Sequence, residues 1–367
     1  MVDAAARPSQ AVLDIDLGAI VANWRSLKTR LAPGAECAGV VKADAYGLGA
    51  DRVAPALAAA GCRRFFVAHL GEALEIRPLL PAGAEVYVLG GVLPGEEPEF
   101  RAGGVLPVLN DPGQVERWAG YGRRLGVALG GALHVDTGMS RLGLMPAEAR
   151  SLAASPGALE GTRLGFVMSH LARSEEAVAM NAEQLAAFES LRALWPKLGA
   201  SFANSSGIFL GPAYHLNLAR PGAALYGINP LPGTPNPQRP VATLSAPVLQ
   251  LRDIAPPQTV GYGASYAATA PTRVATIAIG YADGWLRSLS GRGQAWFQGR
   301  TLPFIGRVSM DLVTLDATAV PDLKAGDRVE LMGVHRPVDD VADEAGTNGY
   351  EILTRLGSRF ARRHHGA

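Results

Sequence analysis

The chain is poor in cysteine, in charge of either sign and in long apolar runs, and each shortage removes a class of function. Only two cysteines, Cys37 and Cys62, occur in 367 residues. They match neither a metal-ligand spacing nor a disulfide framework, so no metal site is expected and a reducing compartment fits. Charged residues make up 18% and the net charge is +1, which gives neither nucleic acid nor an anionic membrane an electrostatic hold. No window approaches a membrane-spanning length of uncharged apolar residues, and no stretch of signal-peptide character precedes Asp14. The expectation is a cytoplasmic, globular protein. Hydrophobic residues, at 48%, suffice for a large core, and the length suits two domains or one barrel with an extension.

From residue 17 to about 228 short apolar runs alternate with amphipathic helical stretches. Eight of these runs read as strands: Cys37–Lys42, Phe65–Ala68, Val86–Leu89, Leu106–Leu109, Leu133–Asp136, Leu164–Ser169, Ser201–Asn204 and Ala223–Gly227. The pattern predicts an α/β chain built on a (β/α)8 TIM-type barrel, although an open doubly wound sheet has the same signature. Asn229 to Pro240 then carries five prolines, a stiff extended connection. Beyond it the texture is β-rich, over Val241–Ile254, Arg273–Gly280, Ala295–Gln298, Leu302–Val308, Leu312–Leu315 and Arg328–Met332, with glycine turns between. This predicts a mainly antiparallel β domain. The expected divisions are 1–16, an N-terminal strand packing with the β domain; 17–235, the barrel; and 236–367, the β domain. The basic tail Arg362-Arg363-His364-His365 reads as a solvated end.

Lys42 ends an apolar run and is followed by Ala43-Asp44-Ala45-Tyr46-Gly47-Leu48-Gly49. A lysine with a desolvated stem and an open amine has a lowered pKa and attacks carbonyls, the requirement for Schiff-base chemistry. The same segment fits an ordinary strand-end lysine. It also half-matches a dinucleotide fingerprint, whose third glycine is replaced by Arg52. In a barrel, the C-terminal strand ends would gather Lys42 and Tyr46, Asp136 to Arg141, Ser169-His170 and Asn204-Ser205-Ser206, with Arg220 to Ala223 entering the eighth strand and Tyr226-Gly227 at its far end. That set suits a phosphorylated aldehyde cofactor: lysine for the aldehyde, hydroxyls and backbone N–H groups for the phosphate. Gly138-Met139-Ser140 lacks the glycine pattern of a nucleophile elbow, so a serine hydrolase is rejected.

Val41 to Gly49 resembles the pyridoxal-phosphate lysine motif of the alanine racemase family. Further similar segments follow in the family's order: Asp136–Gly143, Ser169–Ala172, Asn204-Ser205, Arg220–Gly227, Gly261–Tyr266, Ile279–Gly284, Gly306–Asp311 and Tyr350–Leu353. The resemblance implies interconversion of L- and D-alanine with pyridoxal 5'-phosphate, supplying D-alanine for peptidoglycan. It also implies a homodimer whose active sites are completed by the partner's β domain. Carried over, Lys42 holds the cofactor and acts as base on one face of the substrate, and Tyr266 serves the other face. Inverting a stereocentre through a planar carbanion requires a proton removed on one side and delivered on the other. Tyr46, Asn204, Ser205, Gly222, Ala223 and Tyr350 match the phosphate cradle and its surroundings, and His170 matches a histidine beside the cofactor ring. Arg220 matches the arginine facing the pyridine nitrogen. Arg141 and the backbone at Met310 match the substrate contacts.

Two positions depart from the family. His134 stands where many members carry a carbamylated lysine, and Ser201 stands where a histidine is common. Both put the support of Arg141 and Arg220 in doubt. A broad-specificity amino acid racemase on the same scaffold remains an alternative. A barrel-type decarboxylase would pair the ring nitrogen with an acid, against Arg220. A pyridoxal-phosphate carrier would lack residues 241–353.

Overall fold

In a computed structural model, which describes residues 10–366, the chain divides into two compact units. One is residues 20–225 with 229–238; the other comprises the chain up to Ala19, 226–228 and 239 onward. The first nine residues of the expected N-terminal strand lie outside the described residues.

The first unit is a parallel sheet that closes on itself. Its order is Glu36–Cys37, Leu218–Ala219, Gly199–Ser201, Thr162–Met168, Leu129–His134, Leu106–Leu109, Glu85–Val88, Arg64–Val67 and Gly39–Val40. Glu36–Cys37 and Gly39–Val40 are halves of one interrupted strand: Ala38 N–H donates to Ala219 O at 2.9 Å and Val41 N–H to Phe66 O at 2.9 Å. The sheet is thus an eight-position barrel. Helices such as Ala50–Ala59, Pro112–Leu125 and Ala179–Arg192 follow the earlier strands, whereas the last two strands are followed by 3-10 turns. Seven strand expectations hold within a few residues. The eighth does not: the strand is Leu218–Ala219, and Ala223–Tyr226 is a 3-10 turn. Pro221 has no N–H to continue the ladder, and a short buried apolar run looks the same to periodicity in either conformation. Arg220 therefore leaves the end of the eighth strand instead of entering it.

The barrel interior is layered by the two-residue alternation of its strands. Arg64 pairs in register with Glu85, and Phe66 with Tyr87. The Arg64 layer is polar: its guanidinium meets Glu36 at 2.7 Å and Glu85 at 2.8 Å. Two residues on, the layer is aromatic. Tyr87 and Phe166 come from strands that are not neighbours, yet their rings lie 5.0 Å apart, with Phe66 stacked 5.2 Å from Tyr87. They meet through the barrel axis and plug it.

The second unit is a sheet in the order Arg300–Pro303, Gln294–Phe297, Arg328–Met332, Ala242–Ile254, Val12–Asp16 and Ala361–His365, with Thr272–Ile277 and Val313–Asp316 continuing from the long Ala242–Ile254 strand. Its pairings are antiparallel except the last, where Val12–Asp16 runs parallel to Ala361–His365. The tail is therefore an edge strand and not a solvated end. In this register Asp14 lies opposite Arg363 and Asp16 opposite His365.

Phe66 is fully buried in the aromatic plug. Phe66→Ala is expected to lower unfolding free energy by about 3–5 kcal/mol, read as a fall in the denaturant midpoint at unchanged slope. A loss near zero would show that the interior can collapse around the gap.

Candidate active site

Lys42 leaves the interrupted strand at the barrel's C-terminal end and is followed by an unusual stretch. Ala43, Asp44, Ala45 and Tyr46 all hold left-handed backbone, with φ of 53°, 53°, 52° and 58°. Each non-glycine residue in that region costs roughly 1–2 kcal/mol, so the surroundings must over-determine the turn. Three sets of bonds do so. Ala45 N–H donates to Val41 O and Gly49 N–H to Asp44 O. The Asp44 carboxylate accepts from Ala50 N–H at 2.7 Å. Glu72, from the helix after the second strand, accepts Ala43 N–H at 2.7 Å on one oxygen, with Ala68 N–H at 2.7 Å and His69 N–H at 3.3 Å on the other. Burial lowers the Lys42 pKa, and the Arg141 charge pushes the same way against Glu72. The amine is thus made nucleophilic by its place in the fold.

Arg220 is buried at the barrel mouth, its guanidinium 6.0 Å from the Phe66 ring centroid. It donates to Ser201 Oγ at 2.5 Å, Ser169 O at 2.7 Å and His170 Nδ1 at 3.5 Å. None of these partners is anionic. Burial pushes its pKa down to about 9, so it remains a cation at neutral pH. Ser201 takes up the supporting role at the position where the family commonly has histidine, donating in turn to Leu218 O at 2.7 Å.

The loops after the seventh and eighth strands form a small polar cradle. Asn204 Oδ1 accepts Gly207 N–H at 2.8 Å and caps the turn there. Ser205 Oγ accepts Gly222 N–H at 3.0 Å and Ala224 N–H at 3.1 Å. A Cβ on Gly222 would fall 2.3 Å from the Tyr46 hydroxyl, so the left-handed turn delivers Tyr46 against this loop and only glycine fits opposite it. Ala223 is buried in the same turn. Hydroxyls and converging N–H groups after the last two barrel strands are where such folds bind phosphate.

His134 ends the fifth strand, buried, with Nδ1 2.7 Å from Asn110 Oδ1. The Asn110 amide nitrogen donates to Leu89 O and Val108 O, each at 2.9 Å. Its oxygen is therefore an acceptor, and His134 Nδ1 carries the proton. Burial, with the Arg220 charge, lowers the His134 pKa to about 3. His170 is lowered by burial, then by Arg220 and Arg141. Asp136 binds the N–H groups of Gly138, Met139 and Ser140 at 2.9–3.0 Å, which shapes the loop leading to the exposed Arg141.

Tyr266, Met310 and Tyr350 belong to the β unit. Tyr266 begins the second strand of a small ribbon, Thr259–Val260 with Tyr266–Ala267, and packs half-buried on Ile254, Val260, Ala268, Val274 and Ile305. Met310 is exposed, and its carbonyl accepts Ala282 N–H at 3.0 Å. Asp311 meets Arg359 at 2.8 Å. Tyr350 lies on the Gly349–Thr354 helix at 36% exposure.

Residues 15–230 match the family model for the alanine racemase N-terminal domain and 241–364 that for its C-terminal domain. The chain belongs to the alanine racemase family. It is 53% identical to the catabolic alanine racemase of Mesorhizobium japonicum, over 97% of this chain and 93% of the relative. It is 51% identical to the alanine racemase of Rhodospirillum rubrum, over 97% and 96%. The alanine racemase of Bartonella henselae, solved with covalently bound pyridoxal phosphate, superposes with a TM-score of 0.94 at 42% identity, covering 98% of this chain and all of that one.

The residues suit that cofactor. A buried guanidinium whose protein partners are all neutral can face a neutral ring nitrogen. Ser205 Oγ accepts from Gly222 and Ala224 N–H and keeps its own hydroxyl proton as a neutral donor for phosphate, and Lys42 is the desolvated amine. Sequence reasoning missed Glu72 and Asn110. Glu72 sits three residues into its helix after His69, a capping position that only the folded contact links to Lys42; Asn110 had no local signal.

The lowered pKa of His134 makes stability acid-sensitive. For His134 the folded pKa is about 3 against 6.5 unfolded, so between those values the unfolded chain binds a proton the folded chain refuses. Stability is present above pH 6.5 and falls as pH drops through that window, by up to about 1.4 kcal/mol per pH unit from this residue. Urea midpoints at pH 7 and pH 5 should show the loss, and His134→Gln should flatten it. An equally steep acid limb in the variant would place the effect elsewhere.

Proposed function

We propose that the chain interconverts L- and D-alanine with pyridoxal 5'-phosphate by a two-base mechanism, in the cytoplasm, supplying D-alanine for peptidoglycan. The single observation that carries the reading is the desolvated amine of Lys42 at the same barrel end as a buried, acid-free Arg220. The cofactor supplies an aldehyde carbon for lysine and a ring that takes up charge from the substrate α-carbon. Lys42 holds it covalently and moves a proton at one face of that carbon. The Tyr266 hydroxyl moves the proton at the opposite face. Tyr46, Ser205, Tyr350 and the N–H groups of the Gly222–Ala223 loop hold the phosphate, and Asn204 fixes the loop beside it. Arg220 does not give up its proton and would face the ring nitrogen as a donor, leaving it unprotonated, so that the ring would withdraw electrons weakly and side reactions would be limited. His170 remains neutral and supports Arg220. Arg141 and the Met310 backbone orient the alanine carboxylate, with His134 offering a neutral nitrogen in place of an anion.

The reading includes a homodimer in which Tyr266, Met310 and Tyr350 of one subunit complete the site of the other. Lys42→Ala should abolish both racemisation and the visible absorbance of the lysine-linked cofactor. Retained absorbance traced to another lysine would sink the assignment.

Tyr266→Phe should keep that absorbance but lose about 10²–10⁴-fold in α-proton exchange from the L-alanine side. Mixing the two inactive variants under subunit exchange should restore activity to at most about a quarter of the parent, since half the dimers are mixed and each has one intact site. No recovery from subunits shown to exchange would contradict shared sites.

A further inference from the structure

We infer that Glu72 is the positioning residue for Lys42, clamping the left-handed turn behind the lysine to the loop after the second barrel strand so that the amine leaves the barrel in one direction. The inference rests on the proposed role of Lys42 and deepens it. Its basis is geometric. The two oxygens of Glu72 bridge the segments, Ala43 N–H on one side and Ala68 and His69 N–H on the other, at 2.7, 2.7 and 3.3 Å. Ala43 is the first of the four left-handed residues, directly after Lys42. Bonds of the turn to Val41 O, Asp44 O, Ala45 O and the Asp44 carboxylate run within residues 41–50, whereas the Glu72 carboxylate carries the turn to the second βα loop. A reacting group misplaced by about 1 Å loses roughly 10²-fold, so a strained turn next to a reactive amine needs such a tie.

Charge gives a second handle. Arg141, from the loop after the fifth strand, disfavours the Lys42 ammonium and the Glu72 carboxylate favours it; His170, after the sixth, is neutral and itself feels the Lys42 charge. Glu72→Gln removes the carboxylate charge and turns an N–H donor toward one of the backbone N–H groups. Glu72→Asp keeps the charge and loses the reach.

The test uses the full chain and reads Lys42 itself. Trinitrobenzenesulfonate labelling of Lys42, quantified by peptide mass spectrometry across pH, should shift its midpoint to lower pH in Glu72→Gln but not in Glu72→Asp. Capture of pyridoxal phosphate, followed by visible absorbance, should slow by about 10–100-fold in both. A labelling midpoint and capture rate unchanged in Glu72→Gln would overturn the assignment, and so would a fall in Tm as the only effect, which marks a plain helix cap. A parent protein that takes no colour from pyridoxal phosphate would instead refute the functional reading, while the labelling profile would still judge Glu72.

Discussion

A buried guanidinium without a carboxylate partner governs the mouth of this barrel. Arg220 sits over the aromatic plug formed by Phe66, Tyr87 and Phe166 and is held only by Ser201 Oγ, Ser169 O and His170 Nδ1. Desolvating a charge with neutral partners alone is expensive, and the consequences reach the two histidines nearby. His134 and His170 are both held neutral, in part by its field. With no acid against Arg220, a ring nitrogen facing it has nothing to take a proton from. In the proposed function, this structural liability of the barrel interior would tune the cofactor's electron demand.

The second constraint is backbone strain at the other end of the same site. Four consecutive left-handed residues follow Lys42, and they place Tyr46 against Gly222 while the lysine remains at the strand end. The turn persists because carboxylates from Asp44 and Glu72 absorb its N–H groups. Strain of this kind collects where geometry matters more than stability. Here it sits between the reactive amine and the phosphate cradle, the two places where position sets rate.

The two departures from the family pattern are absorbed by neutral hydrogen bonding. Ser201 accepts from Arg220 and donates to Leu218 O, a shorter relay than an imidazole would make. His134 is locked in one tautomer by Asn110, whose own amide is fixed by two strand carbonyls. The fifth strand therefore presents an uncharged nitrogen near Arg141 where a carbamate would present an anion. Positioning of Arg141 then falls more heavily on its loop, which Asp136 organises through three backbone N–H groups.

The alternation of apolar runs and helices marked an α/β unit followed by a β domain, because strand and helix periodicities are local properties; closure into a barrel, against an open sheet, was decided by strand pairing. The motifs that resemble the family also pointed to Lys42, Tyr46, Ser205, Arg220 and Gly222, which the fold brings to one end of the barrel. What sequence could not decide were contacts between segments far apart in the chain. The eighth strand was misplaced because Leu218–Ala219 is too short to show a period, and its identity comes from pairing with Glu36–Cys37. The basic tail became a strand only through its parallel pairing with Val12–Asp16 at the other end of the chain. Glu72 and Asn110 carry no motif; they matter through bonds to Ala43 and His134, made only once the barrel has closed. Local pattern determined the elements and their chemistry. Tertiary structure decided the charge states and the strained turn, since desolvation and cross-strand bonding exist only after distant residues are brought together.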